Sequence, residues 1–292
     1  ANNFDEDTGF GARMYSGIVV QGGSPRFERV TLHSNTSDAN GGFDHWLVPG
    51  FYIGGSSTVT IVDSTIRNNL VDGSGIDHLS APIFVNSANA VVNLEQVLIH
   101  DNVDSLSGLT SDQEFIVSQG ILVMAGVVNL DHVTITRGVA GFGGSITRGS
   151  IVARGGSITM NNSIVQGNAS GIVGANLITA SYSNAPAVTG TGVVNADPLF
   201  IDPANGDFTP GCGSPSLDTA NPASTLTADL AGNVRPADGD GNGSAINDMG
   251  AFEAPEDVNA DGDGIPACLD NCPNVFNPTQ DDYDSDGAGD AC

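Results

Sequence analysis

The sequence predicts an all-β solenoid followed by an acidic module of loops, and three observations carry that prediction. Five short stretches share one register: Phe27-Glu-Arg-Val30-Thr-Leu32, Ile61-Val-Asp-Ser64-Thr-Ile66, Leu94-Glu-Gln-Val97-Leu-Ile99, Leu130-Asp-His-Val133-Thr-Ile135 and Met160-Asn-Asn-Ser163-Ile-Val165, separated by 34, 33, 36 and 30 residues. Three residues past the last apolar position of each stand Asn35, Asn69, Asn102, Gly138 and Asn168. From Ala251 onward the chain carries 11 acidic residues and no basic one. A repeat of this length, with one strand-like run at a fixed place, cannot bury its apolar face alone and must stack on its neighbours. The acidic end has too little apolar content to join that stack and is read as a separate module.

Within each turn the first, fourth and sixth places, such as Leu94, Val97 and Ile99, point inward, and the residues between them are mostly polar. A second apolar run lies upstream in each turn: Ile18-Val19-Val20, Phe51-Tyr52-Ile53, Ile83-Phe84-Val85, Ile121-Leu122-Val123 and Ile151-Val152. Two or three strands per turn, repeated at about 4.8 Å per coil, give parallel sheets around a narrow aliphatic core roughly 24 Å long over five coils. Alternating βαβ units would also make a parallel sheet, but no segment between the strands keeps a helical period. The recurring asparagines are expected to stack as a ladder, each amide bonding the next coil, with Gly138 interrupting it. Loops of variable length, 37–50 and 72–81, would project from the coil edges, where binding sites tend to lie.

The turns resemble those of right-handed parallel β-helix proteins of the pectate-lyase-like class. Leu32-His-Ser-Asn35, Ile66-Arg-Asn-Asn69, Ile99-His-Asp-Asn102 and Val165-Gln-Gly-Asn168 are similar to the F-x-x-N repeat of polymorphic outer-membrane proteins, with aliphatics in place of the Phe. Further on, Ala196-Asp-Pro-Leu-Phe200, Asn205-Gly-Asp-Phe208, Ser214-Pro-Ser-Leu-Asp218, Asp229-Leu-Ala-Gly-Asn-Val-Arg-Pro236 and Asp248-Met-Gly-Ala-Phe-Glu253 resemble, in order, the closing segment of bacterial secreted β-helices called choice-of-anchor domains. That resemblance implies a last coil and a cap. The division expected is therefore coils over 1–195, a closing coil and cap over 196–254, and the acidic module over 255–292.

In the module, carboxylates at alternate positions followed by glycine form the pattern of a calcium loop: the spacing brings side chains to one side, and glycine permits the bend. The first loop is expected to use Asn259, Asp261, Asp263, Asp270 and the carbonyl of Ile265, with Asp257 joining it or serving a neighbouring ion. The second would use Asp282, Asp284, Asp286 and Asp290. The stretch resembles a thrombospondin type 3 repeat over about 36 residues. Against that pattern Asn259 replaces the first Asp and Ala267 stands where a ninth-position Asp is usual, so the first loop is expected to bind more weakly. The second loop reaches Cys292 one residue before the pattern's closing acid, so further repeats are expected beyond it.

Four cysteines, at 212, 268, 272 and 292, suit disulfides in an extracellular setting better than zinc, since no histidine follows His132. The thrombospondin resemblance pairs Cys272 with Cys292, which leaves Cys268 for Cys212 and would staple the module to the cap. The chain does not begin with Met, which fits either a removed leader or a start partway into a longer polypeptide. No apolar run approaches the roughly 18 residues needed to cross a bilayer.

A formal net charge of -26, with eight arginines and no lysine, disfavours nucleic acid and favours divalent cations. Outward positions should form polar rows: Arg29, Asp63, Gln96, His132 and Asn162 in one, and His33, Arg67, His100, Thr136 and Gln166 in another. The second row can take an anionic sugar, and Trp46 in the 37–50 loop is the one obvious aromatic platform. The coils show no clustered aspartates of the kind glycoside hydrolysis uses. The function expected is therefore a secreted or cell-surface structural or adhesive protein, stabilised by Ca2+ and able to add copies end to end. The alternative is a carbohydrate-binding or polysaccharide-degrading β-helix.

Overall fold

The computed structural model describes residues 4–6, 13–107, 115–140, 146–257, 259–267 and 269–292. Eighteen strands form one continuous parallel sheet that winds around the molecule, and the one helical element described is a short 3-10 turn at Ala175–Leu177. The solenoid, and the lack of regular structure among the described residues of the acidic module, both match the expected fold class. No helix among the described residues is long and apolar enough to cross a membrane.

The five registered stretches stack as read. Phe27 lies beside Ile61, Ile61 beside Leu94, Leu94 beside Leu130, and Leu130 beside Met160. The upstream runs stack too, through Ile18, Phe51, Ile83, Ile121 and Ile151. A further, shorter turn follows: Ile172–Val173 pairs with Ile151 and Val152, and Ile178–Ser181 places Ala180 beside Met160 after only 20 residues. Ile61, Ile66, Leu94, Val97, Ile99, Leu130, Ile135, Met160 and Val165 are essentially sealed from solvent in a single apolar column. At roughly 1.5–3 kcal/mol for each large aliphatic side chain fully buried, this column is the main favourable term for the coils.

The corners explain the sequence between the apolar places. Arg29, Asp63, Gln96, His132, Asn162 and Tyr182 all adopt left-handed backbone, with φ of 54, 47, 52, 51, 52 and 47°. Asn and Asp tolerate that conformation best, and Gly most readily, so the bend is a recurrent local cost that stacking offsets. Ser64, Ser163 and Ser183, one residue past the corner, lower it. The Ser64 hydroxyl accepts from Val30 N and donates to Val62 O, and Ser163 and Ser183 repeat that exchange further along the stack. A second left-handed corner runs through Ser34, Asn68, Asp101, Arg137 and Gly167.

The asparagine ladder follows that second corner. Asn35 donates from its backbone N and its Nδ2 to Asn69 Oδ1 at 3.1 Å each, and Asn69 does the same to Asn102 Oδ1 at 3.1 and 2.9 Å. Asn69 and Asn102 also donate back to Leu32 O and Ile66 O. Each buried amide thus satisfies backbone groups that a coil turn leaves over. Gly138 interrupts the ladder because a Cβ there would collide with Gln119, whose side chain occupies that place; Asn168 Oδ1 still accepts from Gly138 N at 3.0 Å.

A second apolar cluster lies outside the column. Tyr52, Phe84, Leu122 and Val152, the middle residues of the upstream runs, face outward and are covered by Val48, Trp46 and Ile116 from the long strands Thr36–Val48 and Phe115–Asp131. The loops at 37–50 and 72–81 are therefore largely strand, paired from Thr36 beside Leu70 to Leu47 beside Ser80 with a register shift between Asn40 and Phe43, and they fold back on the sheet.

The closing segment departs from a simple end cap. It joins the last coil where Val194 bridges Asn184, forms the antiparallel pair Phe200–Asp202 and Asp207–Pro210, and then runs along the outer side of the coils. Met249 and Ala220 pack on Ile164, Gly250 N donates to Asn162 O, Ala251 N to Thr134 Oγ1, and the Phe208 ring packs at a tilt against His100. This corrects the expectation that the corner row meets water throughout: Gln96, His132 and Asn162 are buried. Arg235 holds the segment together from inside. Its guanidinium donates to Asp248 O at 3.0 Å and Gly250 O at 2.9 Å and faces Glu253 at 3.4 Å, all three residues being buried. Burial, then the neighbouring Glu253, pushes the Asp248 carboxyl up to about 8.

Candidate metal centres and a coil-face cavity

Three groups of carboxylates each bring one oxygen per residue within 4.8 Å of one another: Asp261, Asp263 and Asp270; Asp282, Asp284 and Asp286; and Asp218, Asp238 and Asp240. Like charges at that separation repel unless a cation or protons intervene. The local backbone shows why they converge. Asp261 Oδ1 accepts from Asp263 N, Asp263 Oδ1 from Ile265 N, and Asp284 Oδ1 from Asp286 N, so each carboxylate curls over the amide two residues on. The glycines at 262, 264 and 287 carry φ of 75, 87 and 92°, which only Gly adopts without strain.

The first tail group contains three of the residues expected for it. Asp270 is held by Cys272 N at 2.8 Å and by Gln280 Nε2 at 2.9 Å, and Asp263 Oδ2 accepts from Asn277 N. Asp257 stands apart from the trio and accepts from Ala267 N, while Asn259 caps Gly262 N and reaches toward Gly241 O. Both line a shallow cavity with Asp238 and Glu256, between the module and the closing segment. The Ile265 N–H is taken by Asp263. In the second group Asp290 is likewise outside the trio, accepting from Tyr283 N at 3.1 Å.

The donor set fits a hard divalent cation. Every ligand atom is oxygen, as calcium and magnesium prefer, with no nitrogen or thiolate of the kind zinc selects. One oxygen in each tail group, Asp261 Oδ2 and Asp282 Oδ1, is buried without a hydrogen-bond partner. An unsatisfied buried carboxylate oxygen is costly, and a bound cation removes that cost.

The group at Asp218 was not anticipated. Asp238-Gly-Asp240-Gly-Asn242-Gly243 has the same alternation as the tail loops, but Asp218 reaches it from 20 residues upstream, through a contact only the fold makes. Asp218 is buried and accepts from Ile246 N and Asp240 N; burial first, and then the carboxylates of Asp240 and Asp238, raise its pKa above the ordinary carboxylate range.

The disulfide between Cys272 and Cys292 is present. Cys212 is also disulfide-bonded, and Cys268, expected as its partner, lies outside the described residues.

The residues expected to bind glycan separate into two places. His33, Arg67, His100 and Thr136 stand in register on adjacent strands. Arg67 and His100 line a cavity of about 610 Å³, together with Asn68, Asp101 and the turn at 204–206. His33 is exposed and lies outside that cavity, its Nδ1 3.2 Å from Ser34 Oγ. Trp46 is not part of this face, because it stacks on Tyr52 and meets Phe84 edge-on in the second apolar cluster. Thr136 and Gln166 line a separate cavity of about 580 Å³ with Arg137 and Phe200.

Comparison with protein-family models, with curated proteins and with solved structures finds no match for the chain.

Proposed function

We propose that this chain is a non-enzymatic extracellular or cell-surface protein with a structural or adhesive role, in which bound calcium orders the acidic module. The observation that carries the proposal is the convergence of alternate carboxylates into compact all-oxygen groups along the C-terminal part of the chain. Calcium accepts six to eight such oxygens in flexible geometry, whereas magnesium demands a near-ideal octahedron. The resemblance to a thrombospondin type 3 repeat supports calcium as the ion. The disulfides support an oxidising, extracellular setting.

On this reading the ions do no chemistry. They neutralise a segment that would otherwise repel itself, fix its direction beside the closing segment, and turn a flexible tail into a stiff connector. The coils supply length. A parallel solenoid ends in strands with unpaired backbone groups, which another copy can extend end to end. The cavity beside Arg67 and His100 favours a second reading, in which the coils also hold a carbohydrate.

Electron microscopy of the purified protein in calcium and after chelation tests the assembly. Ordered polymers that fray on chelation are expected; single particles under both conditions would overturn it.

A further inference from the structure

The cavity between Arg67, His100 and the 204–206 turn stands out on charge grounds. The chain carries eight cationic side chains against thirty-four acids, so a cation without a partner is unexpected. Arg26 and Arg29 pair with Glu28, Arg137 with Asp101, Arg148 with Asp104 and Arg235 with Glu253, while Arg154 donates to Thr147. Among the arginines whose side chains are described, Arg67 is the one with neither a hydrogen bond nor an ion pair, and it lines a cavity.

Its neighbour His100 is fixed on two sides. Nδ1 lies 2.7 Å from Asp101 Oδ2, and the ring packs on Phe208 with centroids 4.9 Å apart. Asp101 in turn accepts from Arg137 Nε at 2.7 Å, so its charge is already shared by a guanidinium outside the cavity. With Nδ1–H donated to Asp101, the remaining nitrogen Nε2 is a lone-pair acceptor. Burial lowers the His100 pKa, which keeps the ring neutral and preserves that acceptor at neutral pH.

The cavity thus offers a free guanidinium fork beside a positioned hydrogen-bond acceptor, with Asn68 and Asn205 also in its lining. We propose that it binds a sugar acid: the carboxylate sits on Arg67, and a neighbouring hydroxyl donates to His100 Nε2. A planar carboxylate matches the fork bidentately. A doubly charged oxyanion is disfavoured, because one cation in a strongly acidic protein cannot compensate it. A plain fatty acid would leave the acceptor unused. The site is built by the coils and the closing segment and uses no residue of the acidic module, so its failure and that of the calcium assembly are distinguishable.

Isothermal titration of the full chain with glucuronate, glucose, acetate and inorganic phosphate tests it. Glucuronate is expected to bind saturably, more tightly than acetate or phosphate, with glucose showing no binding and chelator making no difference. Arg67→Ala should weaken glucuronate by roughly 10- to 100-fold, the range for a charge-assisted hydrogen bond. Arg67→Lys, which keeps the charge but not the fork, should recover only part of the loss. His100→Phe, which keeps the ring on Phe208, should weaken glucuronate while leaving acetate unchanged. Absence of glucuronate binding, equal binding by Arg67→Ala, or tighter binding of phosphate would each overturn the proposal.

Discussion

The coils and the acidic module solve the same problem with opposite materials. In the coils, Leu94, Val97 and Ile99 are sealed within a column that runs from Val20 to Val188, and buried amides such as Asn69 tie one turn to the next. In the module, Leu269, Val275, Phe276 and Tyr283 are exposed, while carboxylates capping backbone amides and the Cys272–Cys292 disulfide do the organising. Apolar burial is indifferent to ions; a cluster of carboxylates is not. On the proposed reading, the coils hold an order that is intrinsic and the module one that depends on a bound cation.

The comparison can be broken first at the column. Leu94→Ala, at 1% exposure with apolar neighbours above and below, should cost about 2–5 kcal/mol, measured by denaturant unfolding, and the loss should be the same with and without calcium. Next comes the ladder. Asn69→Ala strips Asn35 N, Asn35 Nδ2 and Leu32 O of partners at a buried position and should cost about 1–3 kcal/mol, again independently of calcium.

A smaller effect separates the two regions by pH. His132 is fully buried at a corner, bonded to Asp131 and beside Arg235, and burial pushes its imidazole below the ordinary range. The unfolded chain therefore binds the proton more readily. The stability that neutral His132 contributes is complete above about pH 6.5 and falls away as pH drops below it. His132→Asn, which tolerates the same left-handed backbone as Asn162, should make the stability profile less steep below about pH 6.5. The smallest effect on the coils belongs to the module: Asp263→Asn should weaken calcium binding in a titration while leaving the coil transition in place.

How much of this was legible depends on whether the cause was local. The five stretches from Phe27 to Met160 repeat because each must meet the same column, so their register was readable. The shortened turn at Ile178–Ser181 escaped, since Ala180 and Ala185 replace large aliphatics and dilute the pattern; only Ser183, repeating Ser163, marks it. The tail groups were readable because alternation along one strand of chain creates them. Asp218 joining Asp238 and Asp240 was not, nor was the burial of His132 under the closing segment, because both arise from segments distant in sequence. The row containing Arg67 and His100 was visible, but the cavity required the turn at 204–206 to stand over it.

The most direct test is hydrogen–deuterium exchange of the full chain in calcium and after chelation. Protection should collapse across 255–292 on chelation, while strands Phe51–Arg67, Ile83–His100 and Phe115–Asp131 keep theirs. A module equally protected without calcium, or coils that lose protection with it, would contradict the division between intrinsic and cation-dependent order.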